Sequence, residues 1–294
     1  MKNTIKTVFL LTALAALFMG IGYLFGGQSG MMTALGFSLL MNFGAYWFSD
    51  KIVLSIHGAK PLRAGDPWGV YEMVQELSVK AGLPMPKVYL IPDRAPNAFA
   101  TGRDPEHAAV AVTQGIVEIL NPRELRGVLA HEMGHVKNRD ILISTMVAAI
   151  ASAVMYLAHM LQWVGMMGGH SRDSEGRGGV NPLAMIFTIV VAPIVATLIQ
   201  AAVSRTREFM ADETGAEVSD DPEALASALE KISNPHLVRK FQEDEAMPDM
   251  QPAFSHLYIV NHFSGEGLMN LFSTHPPVKE RVKKLRAGRY PANV

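Results

Sequence analysis

Four long apolar stretches alternate with two polar segments along this chain. Residues 7–27 carry no charge and follow Lys2 and Lys6. A second apolar run, Met31 to Phe48, begins after the short neutral turn Gly26 to Gly30. The first run is too long for the apolar core of a signal peptide, about 7–15 residues, and lacks a small-x-small cleavage site. Two such runs joined by a turn predict a transmembrane hairpin. Ile141 to Met167 is uncharged over 27 positions and Val180 to Val203 over 24. Spans above about 18 apolar residues favour a bilayer over a buried core helix. Between them lies the Gly-rich polar loop 168–179, with mixed charge.

Lysine and arginine near the span ends set the orientation. With four spans, Lys2, Lys6, Lys51, Lys60, Arg63, Arg123, Arg126, Lys137, Arg139, Arg205 and Arg207 fall on one side, and only Arg172 and Arg177 on the other. Both termini and the polar segments are therefore expected in the cytoplasm. The expected organisation is a hairpin at 1–49, the first half of a catalytic domain at 50–140, two further spans at 141–203, and the second half of the domain at 204–294.

Within 50–140, Trp68 to Ala81 has the period of an amphipathic helix. Lys87 to Ile91, Asn97 to Thr101 and Ala108 to Thr113 are strand candidates. Asn121, Pro122 and Glu124 together announce a helix: an N-cap, a first-turn proline and the reciprocal capping glutamate. In 204–294, Pro222 to Ile232 and Pro277 to Ala287 read as helices, and 234–266 as a long polar insertion.

Composition narrows the function. Only 18% of residues are charged and 49% are hydrophobic, with positive mean hydropathy; ordinary soluble domains carry about 25% charge. The formal net charge of -1 gives no argument for nucleic acid. With no cysteine, disulfides, thiolate catalysis and cysteine-based zinc sites are excluded. Any metal must be held by His, Asp or Glu.

His131-Glu132-Met133-Gly134-His135 supplies such ligands. Residues four apart on a helix put both imidazoles on one face, and a catalytic zinc takes three protein ligands and keeps one position open. Glu132, beside the first ligand, is placed to act as general base toward water. The missing side chain of Gly134 would let another segment approach. The motif also arises by chance, so context decides; here the helix has a clear start and an apolar face of Leu125, Val128, Leu129 and Val136. Candidates for the third ligand are Glu208, Asp212, Glu213 and His275. No Gly or Pro separates His135 from the third run, so the helix is expected to continue into the membrane. His135 then lies about 9 Å of helix from that run and Glu208 about 7.5 Å from the fourth. Matching heights on neighbouring antiparallel helices favour Glu208, roughly 10 Å above the hydrocarbon edge. Asp212, one turn on, is placed to accept the other ring N–H of a zinc histidine. Arg281 reads as a salt-bridged surface residue, with a place beside the site as the weaker alternative, and His159, inside the third run, as packed against another helix.

The joint pattern of His131-Glu132-x-x-His135, Ser204-Arg205-x-Arg207-Glu208-Phe209-x-Ala211-Asp212 and Thr274-His275-Pro276-Pro277 resembles the HtpX-type membrane zinc metalloproteases, which share a metallopeptidase family with the CaaX prenyl endoprotease. The resemblance runs over essentially the whole chain. It implies a mainly α membrane protein: four transmembrane helices plus a cytoplasmic zincin-like α+β domain with a small antiparallel sheet. It implies one Zn2+ per subunit held by His131, His135 and Glu208, with Asp212 behind a ligand and His275 steadying the oxyanion. Asn97, Ala98, Phe99 and Ala100 resemble the family's active-site edge strand, against which a substrate peptide adds as a strand. The implied activity is hydrolysis of peptide bonds in misfolded or damaged membrane proteins, in envelope quality control at the bacterial inner membrane. Partners would be protein or peptide substrates, the lipid bilayer and other copies or membrane proteases, with no nucleic acid. Two rivals are an intramembrane protease and a non-enzymatic scaffold with an idle metal site. Arg123, Glu124, Arg126, Lys137, Arg139 and Asp140 around the motif argue against the first, and the intact Glu132 against the second.

Overall fold

The computed structural model describes residues 2–142, 144–146, 205–234, 237 and 276–288; side chains of most residues in 2–25 are not described. Helix α1, Lys2–Ile56, is broken at Gly26 and Gly27, where Gly27 has φ 57°. The two arms fold back on each other. The rings of Phe18 and Phe37 lie 5.8 Å apart, and Gly22 and Gly30 sit so close that a Cβ on either would strike the other's carbonyl oxygen. The second arm exposes Phe37, Leu39, Leu40, Phe43, Trp47 and Phe48. Among the described residues no helix is long and apolar enough to cross a membrane. The third and fourth expected spans, the loop 168–179, His159 and nearly all of 234–266 lie outside the described residues.

After α1 come β1 (Lys60–Pro61), α2 (Val70–Ala81), β2 (Lys87–Ile91), β3 (Ala98–Thr101), a 3-10 turn (Pro105–His107), β4 (Ala109–Thr113), α3 (Gln114–Ile119) and α4 (Pro122–Lys137). The later elements are α5 (Arg205–Ser219), α6 (Pro222–Ile232) and α7 (Val278–Ala287). The expected antiparallel sheet is instead a mixed one, in the order β1-β2-β4-β3. β2 and β4 run parallel, with Lys87 opposite Ala109 and Ile91 opposite Thr113. β3 runs antiparallel to β4, from Ala98 opposite Val112 to Thr101 opposite Ala109. The link from β2 to β3 holds Pro92 and Pro96, which keep it extended. Its six residues reach about 20 Å, ample to cross the two strand spacings, about 9.6 Å, that separate β2 from β3. β4 then returns into the vacated slot, leaving β3 at an edge. Short strand-like runs show their existence in sequence, but not that one of them skips a place.

One face of the sheet packs on helices. Ala98, Ala100, Val110 and Val112 join Val74 and Leu77 of α2, Leu125, Val128 and Leu129 of α4, and Leu225 and Leu229 of α6 in one core. α4 starts as its sequence dictates. Asn121 Oδ1 accepts from Glu124 N–H at 2.9 Å, and Glu124 Oε2 accepts from Asn121 N–H at 3.0 Å. Glu124 is also held by Lys231 Nζ at 2.6 Å, which ties α4 to α6.

Candidate metal centre

Two glycines decide how α4 meets α5. A Cβ on Gly134 would sit 2.8 Å from the carbonyl oxygen of Ala211, and one on Gly215 would sit 2.8 Å from the backbone of His131. Backbones in this contact bring Glu208, on the first turn of α5, onto the His131–His135 face of α4. Glu208 Oε2 is 3.8 Å from His131 Nε2, and Glu208 Oε1 is 3.7 Å from His135 Nε2. One ligand atom from each of the three residues lies within 4.8 Å of the others. Two imidazoles and a carboxylate are zinc donors, and bonds of about 2.0–2.1 Å in a tetrahedron need ligand atoms about 3.3 Å apart. The carboxylate–imidazole separations come within about half an ångström of that, and the donor set suits a zinc ion once its widest separation, at most 4.8 Å, closes by up to about 1.5 Å.

Both histidines turn their remaining nitrogen to a buried aspartate. His131 Nδ1 is 2.9 Å from Asp212 Oδ1, and His135 Nδ1 is 3.1 Å from Asp140 Oδ1. Such bonds fix the tautomer that presents Nε2 to a metal. Asp140 is not among the residues that the sequence singles out for this role, because α4 is expected to run straight into the third apolar run. Instead α4 ends at Lys137, Asn138 caps it, and Arg139 takes φ 55°. That left-handed residue, rare for a side chain other than glycine or asparagine, swings Asp140 back under His135. Its only sequence signal is a carboxylate five residues past a ligand.

Glu132 is buried, and its Oε2 accepts the Ala100 N–H at 2.8 Å. The ladder identifies this edge of β3. Asn97 C=O accepts from Thr113 N–H at 2.9 Å, so the backbone groups of 97, 99 and 101 turn toward β4. Those of Ala98 and Ala100 turn to the outer edge, which no strand among the described residues pairs, and there the Ala100 N–H meets Glu132. Phe99 points to the other face, its ring 5.6 Å from that of His57.

Residues 68–289 match Peptidase family M48. "Protease HtpX homolog" proteins of Syntrophobacter fumaroxidans and Ralstonia pickettii are each 52% identical to this chain, over 98% and 99% of it and 100% of their own lengths. The chain belongs to peptidase family M48. It is a zinc metalloendopeptidase of that family. A crystal structure of S. mikatae Ste24p shares the fold at TM-score 0.50 and 16% identity; the match covers 97% of this chain and 65% of that one.

The M48 site holds one residue whose environment the sequence misplaces. Arg281, expected at the surface, is fully buried. Its Nε donates to Asp212 Oδ2 at 2.9 Å and its Nη2 to Asp212 Oδ1 at 2.6 Å, while Nη1 lies 3.6 Å from Glu208 Oε2. The sequence signal is position. Val278, Arg281, Val282 and Leu285 form the inward stripe of α7, and an arginine on that stripe needs a buried partner. His275, just before α7, lies outside the described residues.

The two ligand histidines differ in charge preference because of the charges beside them. Burial, then Arg281, depress the His131 pKa against the pull of Asp212. Burial also works against the His135 cation, but Asp140 and Glu208 outweigh it and push its pKa up to about 10. Zinc uptake therefore displaces a proton from His135. Burial raises Glu132 to about 7. Burial would raise Asp212 too, but Arg281 and His131 hold it below the usual carboxylate range.

Removing one ligand tests the donor set. Glu208→Ala should lower zinc affinity at least about tenfold, since even an outer-shell partner contributes that much. The measurement is metal content after dialysis against graded chelator. Unchanged content would move the third ligand elsewhere.

Proposed function

We propose that this M48 peptidase is anchored in the bacterial inner membrane and cleaves misfolded or damaged membrane proteins from the cytoplasmic side, as part of envelope quality control. The observation that carries the reading is the outer edge of β3, unpaired among the described residues, where the Ala100 N–H meets Glu132, the neighbour of the ligand His131. An edge of backbone groups binds any extended peptide, whatever its side chains. That suits unfolded substrates, whose backbones are available, and excludes folded domains, whose backbones are already paired.

The proposed anchor is the α1 hairpin, with spans at 141–167 and 180–203, making four in all. The exposed aromatic and aliphatic side chains of the second arm support it, since soluble surfaces rarely gather so many. The polar halves 50–140 and 204–294 then form one catalytic domain against the bilayer.

In the proposed chemistry His131, His135 and Glu208 would hold the zinc ion, which would supply Lewis-acid polarisation of the scissile carbonyl. Glu132 takes a proton from the attacking water and passes it to the leaving amine. Asp212 and Asp140 hold the two imidazoles in register. His275 steadies the oxyanion.

Orientation has a direct test, because the chain has no native cysteine. Ser29→Cys lies in the turn of α1, and Glu106→Cys lies in the catalytic half; both positions are exposed. In intact spheroplasts an impermeant maleimide should label the first and spare the second until the membrane is opened. Labelling of Glu106→Cys in intact spheroplasts would reverse the orientation.

A further inference from the structure

We infer that Thr145 is a positioning residue for substrate, anchoring the end of the edge strand β3 through its hydroxyl. The inference rests on the reading of β3 as the strand that receives the peptide.

Among the described residues β3 has a neighbouring strand on one side only. At Gly102, with φ 133°, the chain turns away, and a Cβ there would strike the carbonyl oxygen of His107. The strand therefore ends abruptly, and the residues after Gly102 cannot stiffen it by further pairing. By the alternation that turns Ala98 and Ala100 outward, the Gly102 N–H is next on the outer edge. Thr145 meets that end. Its Oγ1 accepts from Gly102 N–H at 3.2 Å and from Thr101 Oγ1 at 3.0 Å, and donates to Ile141 C=O at 2.7 Å. One hydroxyl has one proton and two lone pairs, so all its capacity is used. Thr101 and Thr145 are both fully buried, where water cannot replace a lost partner.

The placement of Thr145 gives this contact its consequence. It lies five residues after Asp140, which holds His135. Asp140 thus grips a metal ligand and Thr145, five residues on, the substrate strand. The Ala100 N–H, two residues before the gripped Gly102, meets Glu132. Thr145 therefore fixes the spacing between the strand that aligns a peptide and the groups that act on it. On the opposite face β3 and the residues just after it meet α1 and the turn that follows α1, through Phe99 against His57 and Arg103 over the Trp47 ring at 4.6 Å. These ring contacts permit sliding along the strand, whereas the Thr145 hydrogen bonds do not.

The test uses full-length, zinc-loaded protein in detergent with two peptides: one unmodified, and one N-methylated at a backbone amide beside the scissile bond. Wild-type enzyme should show a higher KM for the methylated peptide. Thr145→Val keeps the side-chain shape but loses the hydroxyl. It should raise KM for the unmodified peptide about fivefold, the size of one or two lost buried hydrogen bonds, with kcat within about twofold and zinc content unchanged. Thr145→Ser should restore KM. A residue that merely held the fold together would instead lower kcat or the amount of active enzyme at constant KM. Wild-type KM in Thr145→Val, a pure kcat loss, or a serine variant as impaired as the valine variant overturns the inference. Should Thr145→Val fail to fold, Thr101→Val, which removes one of the three bonds, should still raise KM; an unchanged KM there overturns it as well. If wild-type enzyme does not discriminate between the peptides, the strand reading fails and the inference with it.

Discussion

Glu132→Gln should leave a folded, zinc-loaded protein that no longer cleaves peptide. Glutamine has the same shape, and its amide oxygen can still accept the Ala100 N–H now donated to Glu132 Oε2, so no buried donor is orphaned. What disappears is the ability to take up a proton. General-base assistance contributes about 10²–10⁴ in rate, so kcat should fall by about 10³ or more. Zinc content should not change, since Glu132 is outside the ligand set of His131, His135 and Glu208. The pH profile adds a second reading. Burial raises the Glu132 pKa to about 7 in the metal-free site. A bound divalent cation favours the carboxylate and lowers that value. The acid limb of kcat/KM should therefore fall between the usual glutamate value, about 4.3, and 7, with activity lost as pH drops and the base is protonated. Residual activity of Glu132→Gln should lack that limb. A variant with full activity, or with the wild-type limb, would take the base assignment away from Glu132.

The part of the site legible in sequence is the part written in local spacing. Asn121, Pro122 and Glu124 announce α4, and they form the reciprocal cap found there. His131 and His135 share a face because any helix places them so. Glu208 is reachable only through a long-range argument about two helices at the same height, and its premise of an unbroken α4 is wrong. The close approach depends on Gly134 and Gly215 instead. The sequence hints at such an approach at one glycine, and the structure supplies its partner. Asp140 and Arg281 escape for different reasons. Asp140 depends on a left-handed Arg139, a conformation that nothing in the local sequence specifies. Arg281 sits among Lys279, Lys283, Lys284 and Arg286, so charge density draws attention to the wrong face of α7; its place on the Val282–Leu285 stripe is the better guide. The sheet differs in order rather than in content. β2, β3 and β4 lie within one residue of their expected bounds, but pairing is decided by a six-residue step across the sheet. β1, two residues including a proline, carries no strand signature at all.

Replacing Arg281 by methionine should cause the largest loss of stability. The variant keeps bulk and flexibility but removes the guanidinium that meets Asp212 through two hydrogen bonds, of 2.9 and 2.6 Å. Asp212 keeps its contact with His131 but stays buried without its cation, and Glu208 loses a cation 3.6 Å away. Breaking one side of a buried pair costs about 3–5 kcal/mol, against a total stability of about 5–15 kcal/mol for a domain. At about 2–4 °C per kcal/mol for this size, the apparent melting temperature in detergent should drop by roughly 10 °C. Zinc offers a diagnostic. A bound cation restores part of the missing positive charge beside Glu208 and Asp212, so the loss should be larger in chelator-treated protein than in zinc-saturated protein. Arg281→Lys should fall between, since an ammonium supplies charge without the planar two-bond fit to a carboxylate. The double variant Arg281→Met with Asp212→Asn should be less unstable than the sum of the single changes, because the charge that needed neutralising is gone. If the single variant melts with wild type regardless of zinc, the Arg281–Asp212 pair is not what fastens α7 to the catalytic helices, and the anchor must lie instead in contacts such as Lys284 over the Phe209 ring at 3.2 Å.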